Sequence, residues 1–217
     1  MTTDVSVTDR FEARLRSGDD LVVGRADLVQ RGLLHTEARG RLVAARRRYV
    51  VERAGESALG DIAQGLSAEA SKLLLDPPLA FSWQPVRPLV EIDLAILDRL
   101  MLGSLSSMKQ FGGDIARHDL PVVFKPLLRL AKPEFLVSKT HFLLQSYFRP
   151  GGVKVVELGA RRATVQMQDL LVPHYLCIGI AGWMRSALQL TGSKHATVLH
   201  KACIHKGDPF CVNVITW

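Results

Sequence analysis

The sequence predicts an α+β fold: a helical N-terminal half packed on a C-terminal ββαββ antiparallel twisted sheet. Three observations carry this. Apolar residues recur at helical spacing from about residue 21 to 148. At Gly152 the texture changes, and VKVVEL and RATVQMQDL cluster β-formers on either side of Gly159-Ala160, so 153–170 reads as a hairpin. Then Pro173 opens a helix, VPHYLCIGIAGWMRSALQLTG, closed by Gly192, and two more strand-like runs, HATVLHKAC and FCVNVITW, follow around HKGDP.

Taken in order, residues 1–20 are polar and charged and are expected to be a flexible tail. Residues 21–54 have helical spacing through Leu28, Leu33, Leu34, Leu42, Val43, Tyr49 and Val50, and Gly55 ends them. A second helix is expected from about Ala58 to Leu75, stopped by Asp76-Pro77-Pro78. FSWQPVRPL, with two prolines, reads as a loop or extended strap with Trp83 as a packing anchor. Residues 91–103 form a third helix with Gly103 as its C-terminal signal. Residues 104–120 are a weaker helix, interrupted at Gly112 and Gly113. The stretch to Phe148 gives one or two helices split around Lys132-Pro133.

The chain has 217 residues, 47% hydrophobic and 23% charged, ordinary for a soluble domain with a core. No segment reaches the ~20 apolar residues of a membrane helix, and the N-terminus lacks the apolar stretch of a secretory signal, so a cytoplasmic protein is expected. The net charge is +7, concentrated in RGRLVAARRRYVVER at 39–53. Without interleaved aromatics or a helix-turn-helix pattern, this segment reads as a solvent-facing helix and not as a sequence-specific nucleic-acid reader.

The three cysteines are an odd number and make no disulfide framework. Cys203 and Cys211 stand in CIHKGDPFC with Gly207 midway; His200 precedes Cys203 by three positions, and Cys177 lies 26 residues upstream. Three thiols and one imidazole make a full tetrahedral zinc set, and a closed set of four is structural and not catalytic. Spacing alone leaves a second reading equally open, three unrelated buried cysteines, because the common CxxC knuckles are absent. Enzyme signatures such as GxSxG, a phosphate loop or HExxH are missing, so no catalytic residue is assigned.

The ββαββ block, with CIGIAG in its helix, HxxC ending one strand and a CxxxGxxxC hairpin, resembles the 4-vinyl reductase-type domain. It is similar also to the zinc-containing sensor domain of phenol- and toluene-responsive transcription activators. The match runs from about Gly103 to Trp217, and LLLDPPLAFSWQPV followed by EIDLAIL resembles a myxobacterial family built on the same domain. The resemblance implies structural zinc on Cys177, Cys203 and Cys211, with His200 where the family has an acidic ligand. It divides the chain into a helical extension, 21–102, and a ligand-binding-type domain carrying the zinc site, 103–217. The wider superfamily includes transport-protein-particle subunits and haem-based nitric-oxide sensors, and it implies a homodimer. Haem is not expected, because the Tyr-x-Ser-x-Arg run of those sensors is missing; His118, His141, His174, His195 and His205 are read as surface or packed histidines.

The activators' phenol clamp is not reproduced: His141 and Gln145 share the relevant helix face, but the second strand has no tryptophan. The candidate apolar pocket is His141, Phe142, Gln145, Tyr147, Phe148, Tyr175 and Trp183, with simple core filling as the alternative. The expected function is a stand-alone, non-enzymatic sensory or ligand-binding module that binds a small hydrophobic molecule. The alternative is a protein-interaction adaptor of the transport-particle kind, and a reductase-type enzyme is a distant third.

Overall fold

The computed structural model describes residues 23–130 and 132–217, and the side chains of 121–130 fall outside that description. The expected tail at 1–20 lies outside the described residues. The chain divides into two compact units. The first is built from the chain up to Ser104 together with Tyr147–Arg149 and Leu171–Pro173, and the second from the remainder. Helices and antiparallel sheet together make the fold α+β, as the sequence predicts.

In the first unit, α1 (Ala26–His35) leads through β1 (Glu37–Arg39) into α2 (Gly40–Ala54). Next come α3 (Ser57–Ala63), α4 (Ala68–Leu75), β2 (Trp83–Pro85) and α5 (Val86–Leu100). The expected single helix over 58–75 is therefore two. Ser67 splits it by capping α4 through Ala70 N–H at 3.3 Å, and its own hydroxyl donates to buried Glu91 of α5 at 2.8 Å. The strap at 81–89 is half strand, half helix. Prolines are tolerated in the first turn of a helix, so α5 starts at Val86 and runs through Pro88. Gly103 closes it at φ +72, its N–H donating to Leu97 O at 2.9 Å.

The expectation that 39–53 faces solvent needs one correction. Arg46 of α2 is 1% exposed and makes a bidentate pair with buried Asp93 of α5, at 2.8 and 3.0 Å. Inside a core such a charge persists only because its partner neutralises it. A small antiparallel sheet, β2-β1-β3, with β3 at Phe148–Arg149, was not foreseen. Ala38 and Phe148 turn into the core from one of its faces; Glu37, Arg39, Trp83 and Arg149 occupy the other.

The second unit contains α6 (Leu105–Leu130), α7 (Pro133–Ser138), α8 (Thr140–Gln145), β4 (Gly152–Leu158) and β5 (Arg162–Gln168). It ends with α9 (His174–Leu190), β6 (Thr197–Ala202) and β7 (Val212–Thr216). The four-stranded sheet runs β4-β5-β7-β6, all neighbours antiparallel. Gly112 and Gly113 do not interrupt α6. They let it lie against α9: a Cβ on Gly112 would stand 1.9 Å from Gly179 O, and one on Gly182 would stand 1.8 Å from Lys109 O. The glycines read as breaks in the sequence are the close-contact surface of the helix pair.

Both sheet edges are engaged by side chains. Lys109 Nζ donates to Val198 O on β6 at 3.1 Å, and Val153 N–H on β4 donates to His141 Nδ1 at 3.4 Å. Occupied edge groups reduce strand-to-strand aggregation.

Candidate metal centre

Four potential ligands converge from four positions in the sequence. Cys177 sits in the first turn of α9, so its sulfur projects from a fixed helix end. His200 lies near the end of β6, where a regular strand would turn it and a residue three positions on to opposite faces. The register of β6 against β7 slips between His200 and Ala202, and that bulge returns Cys203 to the side of His200, as the ligand set requires. Cys203 then enters a 3₁₀ turn, Ile204–Lys206, and Gly207 reverses the chain at φ +91, where an L side chain is strained. Asp208 fastens this turn: its Oδ2 accepts Cys203 N–H at 2.8 Å, and its own N–H donates back to Cys203 O at 3.2 Å. Cys211 follows immediately before β7, its carbonyl accepting Met167 N–H of β5 at 2.8 Å.

The ligand atoms of Cys177, His200, Cys203 and Cys211 all lie within 4.8 Å of one another. Cys177 Sγ is 3.8 Å from Cys211 Sγ, which is 3.7 Å from Cys203 Sγ. A regular tetrahedron with Zn–S bonds of ~2.3 Å has an edge of about 3.8 Å. These separations exceed any disulfide bond, and all three cysteines are free and buried. His200 is oriented from behind. Its cross-strand partner Asn213 is 1% exposed, and Asn213 Oδ1 stands 3.1 Å from His200 Nδ1. Asn213 Oδ1 can only accept, so Nδ1 carries a proton, which leaves Nε2 as the ring nitrogen that would coordinate once it gives up its own. Nε2 is buried and has no hydrogen-bond partner, the state of a nitrogen free to coordinate.

Burial disfavours a charged His200, but the neighbouring Cys203 and Cys211 sulfurs outweigh it and push its pKa up to about 10. Hydrogen bonds from Cys177 and Cys211, with the nearby His200 ring and the His205 N–H, draw Cys203 far below the ordinary thiol range. Hydrogen bonding to Cys203 and Cys211, with burial, drives Cys177 far above it. Three sulfurs this close cannot all hold negative charge without a cation among them. Two more packed histidines flank the cluster: the His174 ring centroid lies 6.3 Å from that of His200 and 6.0 Å from that of His205. With four protein ligands the centre has no open coordination position, so it suits a structural ion.

The candidate pocket residues are divided between the two units. Tyr147 and Phe148 belong to the first unit, where both are buried. In the second unit Phe142 and Gln145 face solvent, Tyr175 is fully buried, and His141 packs against Gly152. Trp183 borders a small apolar cavity of about 10 Å³ with Leu136, Leu143, Met184 and Leu188. Helical periodicity showed which positions were apolar but not which faces meet.

No family model matches the chain, and no curated protein does. Solved structures do. An H-NOX protein from S. oneidensis in the Fe(II)NO ligation state has a TM-score of 0.64 at 18% identity, covering 82% of this chain and 97% of that one. An H-NOX domain mutant from Shewanella oneidensis in the Fe(II)CO state gives 0.62 at 17% identity over 82% and 97%. The Fe(II) unliganded H-NOX protein from K. algicida gives 0.61 at 10% identity over 82% and 95%. At these identities the likeness establishes the fold: this chain has the architecture of H-NOX domains.

That finding corrects the sequence reading on haem. The exclusion rests on a missing Tyr-x-Ser-x-Arg run, and the chain shares the fold of H-NOX domains solved in Fe(II) states, so the exclusion is withdrawn. The packed histidines of the second unit supply the fit test. The His141 ring lies against Gly152 and accepts Val153 N–H, and His174 packs beside His200 and His205. The cavity beside Trp183 is far smaller than a porphyrin. None of these places accommodates haem as it stands.

Proposed function

We propose that this chain is a non-enzymatic sensory or ligand-binding module of the H-NOX fold, stabilised by one zinc ion on Cys177, His200, Cys203 and Cys211. The fold likeness over 82% of the chain supports the sensory reading. The convergence of three sulfurs and an oriented imidazole supports the metal. Zinc at this position ties the start of α9 to the β6–β7 hairpin, so metal binding and folding of the second unit are one equilibrium. The ligand is a small hydrophobic molecule, taken up by widening of the apolar seam at Trp183, Leu136, Leu143 and Met184. On the family resemblance, the module works as a homodimer in the cytoplasm.

A second reading, a protein-interaction adaptor, has one observation in its favour. The first unit carries an open groove of about 520 Å³ lined by Ala44, Arg47, Arg48, Val51, Leu75 and Pro77. Native mass spectrometry of protein purified without chelator separates the readings. The proposal expects one zinc per chain and a retained small molecule, with a Soret band identifying that molecule if it is haem. Ligand-free protein that captures no small molecule from an apolar compound set would favour the adaptor and sink the sensory reading.

A further inference from the structure

The small sheet of the first unit gathers positive charge that the metal centre does not use. Register places Arg39 opposite Trp83 and Glu37 opposite Arg149, so these four side chains share one face of β2-β1-β3. The Arg39 guanidinium lies 3.8 Å from the Trp83 ring centroid and that of Arg149 lies 4.4 Å from it. Arg41, in the first turn of α2, stands 5.1 Å from the Tyr147 ring and 5.2 Å from the Phe81 ring. The aromatic faces hold the three guanidiniums but neutralise none of them.

Charge compensation is incomplete. Glu37 pairs with Arg149, and Arg39 donates to the Phe81 carbonyl. The count is three positive groups against one negative, a local excess of +2. Arg39 Nε and Arg41 Nε are buried and have no hydrogen-bond partner. Burial first, and then the charges of Arg41 and Arg149, lower the pKa of Arg39. The first turn of α2 contains no acidic residue, so the positive end of its dipole adds to the field. Its Gly40 and Arg41 N–H groups are already used by Ser82 O and Ala80 O, at 2.9 and 3.1 Å. An incoming anion would therefore meet side chains. Arg149 is about half exposed, with 52% of its side chain accessible, so the cluster can be reached from solvent.

We propose that Arg39, Arg41 and Arg149, braced by Trp83, Phe81 and Tyr147, form a binding site for a phosphate group. The excess of +2 matches a phosphate monoester, which carries about −1.5 to −2 at pH 7. Guanidinium forks bind phosphate oxygens bidentately, and the half-exposed Arg149 offers its fork to solvent. Two sources present this chemistry, a soluble phosphate and the headgroup of an anionic lipid. Leu79 and Phe81, 84% and 69% exposed on the loop before β2, would lie at a lipid surface in the second case.

The test is calorimetric titration of the full chain with sodium phosphate against chloride at matched ionic strength. In parallel, the chain is co-sedimented with phosphatidylcholine vesicles with and without phosphatidic acid. One saturable phosphate site per chain is expected, weakened at least tenfold in both Arg39→Gln and Arg149→Gln, and weakened also in Arg39→Lys, which keeps charge but loses the fork. Binding to phosphatidic-acid vesicles in addition assigns the lipid source; binding of free phosphate alone assigns the soluble one. Arg149→Gln alters an exposed side chain and serves as the decisive variant if Arg39→Gln melts early. No saturable binding by the wild type to either probe, or affinity unchanged in Arg149→Gln, overturns the proposal.

Discussion

Replacing Gly182 with alanine tests the packing that positions the metal centre. The added Cβ would stand 1.8 Å from Lys109 O, a backbone atom in the second turn of α6 that cannot swing aside. Relief to an ordinary contact of 3.4 Å requires α9 and α6 to part by about 1.5 Å. Overpacking costs typically 1–3 kcal/mol, and a rigid backbone partner puts this case near the upper end, about 3 kcal/mol. The gain of ~1 kcal/mol from alanine's helix propensity does not offset it. For a unit of this size each kcal/mol is worth roughly 4–8 °C in Tm, so a fall of about 10 °C or more is expected. The same displacement carries Cys177 off its 3.8 Å spacing from Cys211, and zinc affinity should fall with stability. Gly60→Ala is the control: it sits in α3 with nothing within 4 Å of the new Cβ and should be neutral or stabilising by about 0.5–1 kcal/mol. Thermal melts of both variants, with zinc competition against a chromophoric chelator, decide the matter. A Gly182→Ala protein that melts with the wild type and holds zinc equally well refutes the close-contact reasoning.

Three further outcomes follow from the same structure. Asp93→Ala leaves Arg46 charged and buried, so urea unfolding should show a loss of about 3–5 kcal/mol, with the paired Arg46→Leu/Asp93→Leu protein losing less; a loss under about 1 kcal/mol would show that Arg46 reaches water. Asn213→Ala frees the His200 ring to adopt either tautomer and should lower zinc affinity about 10- to 100-fold, measured by chelator competition, where unchanged affinity would remove Asn213 from the centre's support. Light scattering at micromolar concentration should report a dimer, and a clean monomer counts against the homodimer.

What the sequence made legible follows a physical division. The helix and two hairpins around the cysteines could be read because strand alternation, Pro173 and Gly192 are local signals. The bulge beside His200 could be inferred because ligation of both His200 and Cys203 demands it, and the register slip lies there. Non-local packing was not legible. Gly112 and Gly113 look like helix breakers until Gly179 and Gly182 are known to lie opposite, and Arg46 looks like its half-buried neighbours Arg47 and Arg48 until Asp93 is known to face it. The sheet formed by Glu37–Arg39, Trp83–Pro85 and Phe148–Arg149 joins segments too short to signal strands and far apart in sequence. Asn213, which orients the imidazole, reads in the sequence as one polar residue in a strand, and only the cross-strand register gives it a role. The candidate pocket residues divide between the two units, and aromatic content does not say which unit a side chain joins.

The central claim is that Cys177, His200, Cys203 and Cys211 hold one structural zinc ion. Elemental analysis of protein purified without chelator, run beside a thermal melt, tests it most directly, with Cys203→Ser as the companion. The account predicts one zinc per wild-type chain, and in the variant the loss of metal together with a marked fall in Tm, because the ion joins the start of α9 to the last hairpin. Wild-type protein that is folded and free of stoichiometric zinc, or a Cys203→Ser variant that loses the metal with Tm unchanged, would contradict it.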